Sequence, residues 1–129
     1  MTREQRLALR REAERRGRRA EAFAAWLLRL KGYRVLARRY RTPAGEIDLI
    51  VRRGRSVVFV EVKERPDEAA ALEAVNHATR RRIARAAALW VSRNPAAADL
   101  DQRFDVILAR PGRLPRHLPA VFDSGGNVW

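Results

Sequence analysis

From Gly45 to Lys63 the residues alternate in the manner of two paired strands, GEIDLIVRRGRSVVFVEVK. Side chains in a strand point to opposite faces with a period of two, so Ile47, Leu49 and Val51 share one face, as do Val58, Val60 and Val62. The other face carries Glu46, Asp48 and Ile50 on the first strand and Val57, Phe59, Glu61 and Lys63 on the second. Arg53-Gly54 is the turn signal between them. Apolar residues stand on both faces, so a sheet covered on both sides is expected. With an even loop, Val51 pairs with Ser56, Asp48 lies opposite Phe59, and Glu61 sits diagonally from Asp48, roughly 7–8 Å away. The pattern therefore brings two carboxylates and an amine to one face.

The other elements follow from the same reasoning. Phe23, Trp26, Leu27 and Leu30 recur at i, i+3, i+4 and i+7, predicting a helix over 18–31 that buries those four and ends at Gly32. Residues 1–17 are rich in Arg and Glu without an apolar stripe, and read as a basic arm or an extension of that helix. Residues 33–41 alternate as a strand with a basic, aromatic-tipped face. After Lys63 a loop leads to a short helix over 68–75 and a longer one over 79–92, capped by Asn76 or Thr79, that buries Ile83, Ala87, Trp90 and Val91. The strand 103–110 then returns parallel to the Glu61 strand through a right-handed crossover. Residues 114–122 form a Pro-interrupted edge strand or extended segment, and 124–129 read as a flexible tail. These elements make one α/β domain over 18–123, with a mixed central sheet flanked by helices.

Composition narrows the chemistry. At 129 residues there is room for a single modest core. Cysteine is absent, which excludes disulfides and thiolate metal sites and leaves oxygen ligands for any metal. The net charge of +13 predicts a polyanionic partner, nucleic acid above all, against the plainer reading of a generally adhesive basic protein. No apolar run approaches the roughly 18 residues of a membrane span, and the N-terminus has no uncharged apolar segment, so a cytoplasmic protein with no membrane partner is expected. Of the 28 Lys plus Arg residues only Lys31 and Lys63 are lysine. That makes Lys63 informative: an ammonium touches a water or phosphoryl oxygen as a point charge, which a guanidinium fork does not imitate.

Carboxylates on a buried face are costly unless paired or bound to a cation. Glu61 and Lys63 alone read as an ordinary ion pair in a strand. Asp48 on a paired strand shifts the balance toward a divalent-cation site. Glu21, in the first turn of its helix, complements the helix dipole or reaches such a site. Asp105 is expected to pair with Arg103 or Arg110, or to stand as an outer carboxylate. His77 lies in a polar loop with no partner in view.

Asp48 followed by Glu61-Val62-Lys63 resembles the D…(E/D)-x-K signature of the PD-(D/E)xK nuclease superfamily. The longer string GEIDLIV…VVFVEVK, between a helix-Gly-Tyr segment and an RFDV strand, is similar to the YraN-like family of uncharacterised nuclease-like proteins. The resemblance spans residues 18–122. It implies a three-layer restriction-endonuclease-like core and a metal-dependent endonuclease with Asp48, Glu61 and Lys63 as catalytic residues. It further implies Mg²⁺ or Mn²⁺ held by Asp48, Glu61 and the main-chain carbonyl of Val62, with Glu21 as an auxiliary ligand. Nucleic-acid contacts are expected from Arg38, Arg39 and Tyr40 on the first strand and from Arg80, Arg81 and Arg82 on the long helix. DNA is favoured over RNA as the substrate, structured or branched DNA included, which would suit a homodimer. Three positions depart from the family pattern: Ala20 precedes Glu21 where glycine is usual, Glu64 follows Lys63 where Thr or Ser is common, and Thr79 stands where a lysine is expected. The alternative is a non-catalytic nucleic-acid-binding module of the same fold in a repair or RNA-processing assembly.

Overall fold

Nine elements account for the computed structural model, which describes residues 1–129: α1 (Arg3–Leu30), β1 (Arg34–Thr42), β2 (Gly45–Arg53), β3 (Ser56–Glu64), α2 (Glu68–Ala74), α3 (His77–Arg93), a 3₁₀ turn (Pro95–Ala97), β4 (Asp101–Ala109) and β5 (Arg116–Phe122). The strands form one sheet in sequence order. β1, β2 and β3 are an antiparallel meander, β4 runs parallel to β3 after the α2–α3 crossover, and β5 closes the edge antiparallel to β4. The sheet is mixed and its two faces are covered by different helices, the three-layer α/β arrangement the pattern predicted.

Each helix begins where a short polar side chain takes an otherwise unpaired N–H. Thr2 and Gln5 form a reciprocal capping box for α1. Asp67 caps α2 through Ala70, and Asn76 caps α3 through Thr79. On one face α3 lays Ile83, Ala86, Ala87 and Trp90 over Ile50, Val57, Phe59, Phe104 and Phe122. There the rings of Phe59, Phe104 and Phe122 stack at 5.2 and 4.8 Å, with Trp90 edge-on to Phe59 at 5.9 Å. On the opposite face Ala24, Ala25 and Leu28 of α1 cover Leu49, Val51, Val58, Val60 and Ile107.

Several expectations are corrected, while α1, one continuous helix of 28 residues, agrees with the helix-extension reading of residues 1–17. Its buried stripe is Ala20, Ala24, Ala25 and Leu28, while Phe23 (58%), Trp26 (47%) and Leu30 (65%) are exposed. Alanines let the helix lie close on the sheet, and the aromatic rings are displaced to its flank. The β2–β3 register is two residues from the predicted one, with Arg53 paired to Ser56, Val51 to Val58 and Ile50 to Phe59. The loop is only Gly54-Arg55, and Gly54 at φ 59 supplies the left-handed first position that such a turn requires. Ile47 joins the α3 face instead of the Leu49 face. The tail curls into a turn in which Gly125 and Asn127 donate main-chain N–H bonds to Asp123, and Val128 bridges Phe122.

Candidate active site at the split between β2 and β3

The sheet opens where the carboxylates stand. β2 pairs with β3 only from Leu49↔Val60 to Arg53↔Ser56, whereas β1 follows β2 as far as Gly45 and β4 follows β3 as far as Glu64. Beyond Leu49 the ladder is therefore broken, and its next donor needs another acceptor. The Asp48 carboxylate provides it: the Val62 N–H donates to Asp48 Oδ2 at 2.8 Å. This departure of β2 accounts for the turned Ile47, and continuation of the register brings Asp48 against Glu61 rather than Phe59.

Glu61 is nearly enclosed, its side chain 11% exposed, with Lys63 Nζ at 3.9 Å from Oε1. Burial in this apolar setting pushes the Glu61 carboxyl up to about 10, and a hydrogen bond with Asp48 together with its charge adds to the rise, against the opposing effect of Lys63. Glu61 thus keeps a proton at neutral pH and shares it with Asp48. The contact with Lys63 is consequently an ammonium facing a proton-sharing carboxyl pair, not a simple ion pair. Like charges so close cannot both persist in a dry site, so such a pair holds either a proton or a cation.

Asp48, Glu61, Val62 and Lys63 are brought together. Glu21 stands apart, its carboxylate bound at 2.7 Å by Arg39 Nε. No cluster of three or more acidic, His or Cys side chains forms. The hydrogen bond and charge of Glu21 raise the Arg39 pKa, and Asp48 and Glu46 act on Arg39 more weakly in the same direction. Arg39 also has φ 49, an uncommon backbone state for a side chain other than glycine. Its Nε is thereby engaged by Glu21, while the side chain stays one-third exposed. The Tyr40 hydroxyl accepts from Arg93 at 3.0 Å, and its ring packs on the α3 core. Arg80 faces inward, donating to Gly126 O at 2.8 Å and Val75 O at 2.7 Å, so it clamps the C-terminal turn. Arg38, Arg81 and Arg82 are exposed and make no ion pair.

Asp105 turns out to be a hub. It is fully buried and accepts from Arg103 Nε and Nη2, both at 2.9 Å, from the Ala120 N–H at 2.9 Å, and it meets His117 Nε2 at 2.6 Å. Arg103 also donates to the Tyr33 hydroxyl at 2.6 Å, and Lys31 Nζ lies 3.0 Å from His117 Nδ1. Burial alone would raise the Asp105 carboxyl, but the bonds from His117, Arg103 and Ala120 outweigh it and hold it below its ordinary range. Lys31 and Lys63, the two lysines of an arginine-rich chain, both end beside titratable partners. His117 was not singled out by sequence reasoning, and its occurrence as one of two histidines in the chain is a faint signal.

The model of the uncharacterised protein family UPF0102 matches residues 20–109. The chain belongs to this family. A UPF0102 protein of Parvibaculum lavamentivorans is 60% identical over 106 residues, covering 82% of this chain and 80% of its own. One from Rhizobium etli is 53% identical over 114 residues (88% and 93%), and one from Methylorubrum extorquens is 50% identical over 119 residues (92% and 93%). The UPF0102 match begins one residue before Glu21 and ends with β4, so it contains Asp48, Glu61 and Lys63 and leaves out β5 with His117.

Proposed function

We propose that this UPF0102 chain is a metal-dependent endonuclease of the PD-(D/E)xK type, hydrolysing phosphodiester bonds in DNA. The observation that carries the reading is the convergence of Asp48, Glu61 and Lys63 at a break in the sheet. Two carboxylates beside a main-chain carbonyl suit Mg²⁺ or Mn²⁺, which take a few protein oxygens and complete their shell with water and substrate phosphate. Asp48, Glu61 and the Val62 carbonyl would hold the ion, with Glu21, whose Oε2 is bound by Arg39, as an auxiliary ligand. Such an ion, when bound, acidifies water and offsets charge on the scissile phosphate.

The protein groups have separate tasks. Asp48 is fixed by the Val62 N–H, so one of its oxygens is oriented before any ligand arrives. Glu61 would give up its proton to solvent if such a cation bound, and would then hold the ion as a carboxylate. Lys63 is the single ammonium at the site, placed to steady the attacking water or the charge that develops on the phosphoryl oxygens. Arg38, Arg81 and Arg82 can bind backbone phosphates without reading sequence. A second reading, a nucleic-acid-binding module without catalysis, is favoured by Glu64 next to Lys63 and by Thr79 where the family pattern has a lysine.

Incubation with single-stranded, duplex and branched DNA and RNA, with Mg²⁺, Mn²⁺ or EDTA, tests the proposal. Cutting that needs the metal and is abolished in Asp48→Ala and Lys63→Ala is the expected result. Binding by all three proteins with no cutting would replace the enzyme reading with the module.

A further inference from the structure

The aromatic residues displaced from the α1 interface do not stand alone. Phe23 and Trp26, three positions apart on the helix and both about half exposed, form one wall of a groove of about 610 Å³. Its other wall is the β4–β5 connection with Arg110, Arg113 and Leu114, and Arg16 and Arg19 of α1 also line it. The same groove reaches Glu64, the residue after Lys63, which pairs with Ala109 at the carboxyl ends of the parallel strands β3 and β4. Ligands of open α/β sheets bind beyond such carboxyl ends. The groove therefore lies on the α1 side of the sheet, at the same strand end as the carboxylate site.

Its chemistry is unusual for a surface left to water. Arg16, Arg110 and Arg113 make no ion pair, and Arg110 Nε is buried without a hydrogen-bond partner. A core-packing role for the rings is excluded by their exposure, and a protein partner of ordinary composition would have to meet several uncompensated guanidinium groups. Flat apolar rings between free arginines match a different occupant, a strand whose bases stack and whose phosphates are anionic. Duplex bases are already stacked on one another and cannot supply those faces. Among the lining side chains only Glu64 could accept from a ribose 2′-hydroxyl, none is Ser, Thr, Asn or Gln, and the arginines that could donate to it are the groups the phosphates need.

We propose that this groove binds an unpaired DNA strand, with bases on Phe23 and Trp26 and phosphates on Arg16, Arg110 and Arg113. The proposal rests on the nucleic-acid reading of the protein. It deepens that reading by specifying the substrate as DNA with a single-stranded arm that leaves the carboxylate site over the end of β3.

The test is fluorescence anisotropy of the full chain in EDTA with labelled oligothymidylate of about 12 nucleotides, a length within the range of single-strand sites. The comparisons are a duplex and the matching oligouridylate. Each aromatic is expected to carry roughly a tenfold share of single-strand affinity. Phe23→Ala with Trp26→Ala should therefore weaken oligothymidylate binding about a hundredfold and leave duplex binding within about twofold, with unchanged circular dichroism. Arg110→Ala with Arg113→Ala should weaken it and flatten its salt dependence. Single-strand binding indifferent to both double variants overturns the groove. So does oligouridylate bound as tightly as oligothymidylate, for the DNA assignment, or a dimer in sedimentation that Trp26→Ala dissociates. Groove-dependent binding without cleavage by the wild type would instead refute the nuclease and leave the groove standing. Metal-dependent cleavage with no groove effect would do the reverse.

Discussion

Replacing Glu61 by glutamine should make the metal-free protein more stable while removing its activity. Glu61 keeps its proton in the fold because burial and Asp48 raise its pKa from 4.5 to about 10. An unfolded chain at pH 7 has already released that proton, so folding must take it back. Each pKa unit corresponds to about 1.4 kcal/mol, and only the interval from 4.5 to 7 counts at pH 7, which sets an upper bound of roughly 3 kcal/mol. Glutamine removes this cost, since its amide donates to Asp48 as the shared proton does. A gain of roughly 1–3 kcal/mol is expected, because local relaxation reduces the bound. The sign with pH follows from linkage. Between the unfolded and folded pKa the native state binds more protons than the unfolded state, so wild-type stability falls as pH rises through this window, at most by about 1.4 kcal/mol per unit. Urea unfolding of both proteins in EDTA from pH 5.5 to 8 measures the difference, and the other titrating groups cancel in it. A Glu61→Gln protein that is less stable than wild type by more than about 1 kcal/mol, or a difference that does not widen with pH, would refute the shared proton.

Two further predictions concern the frame. Asp105→Ala leaves the enclosed His117 and the partly exposed Arg103 around a missing anion and should cost about 2–4 kcal/mol, read as a fall in Tm of several degrees or more; a loss below about 1 kcal/mol would mean the network is dispensable. Because the Asp105 pKa is depressed, its contribution is present at neutral pH and is lost as pH falls below about 4 through the native value, so the Asp105→Asn difference should shrink in acid. Gly45→Ala would place a Cβ 3.1 Å from Arg82 Cβ and 3.4 Å from its carbonyl oxygen, forcing β2 and α3 apart where they meet. A loss of about 1–3 kcal/mol in denaturant unfolding is expected, and an unchanged midpoint would show that the contact yields freely.

Much of this was legible in the chain because strand periodicity is strict. The alternation around Asp48 and Glu61, the crossover to β4 and the α3 stripe all follow from apolar spacing, which burial enforces on both faces of the sheet. The α1 face was misread because Phe23, Trp26 and Leu30 outweigh alanines in any hydrophobic count, although the alanines are what permits close packing. The hairpin register was missed by two residues because an even loop leaves its length open, and the face pattern is identical in either register. Asp48 as a ladder acceptor could not be foreseen, since it depends on β2 leaving β3. The Asp105 hub joins residues from α1's end, β4 and β5 that are up to 86 positions apart, and no local pattern encodes such a meeting.

The most direct test of the account is a Mn²⁺ titration at pH 7 that counts protons, made by calorimetry in two buffers of different ionisation enthalpy. A cation that replaces the shared proton should release about one proton per ion bound in the wild type, more weakly bound at lower pH, and none in Glu61→Gln. Tight binding with no proton released, or release unchanged in Glu61→Gln, would contradict the claim that the carboxylates at the β2–β3 split form the metal site.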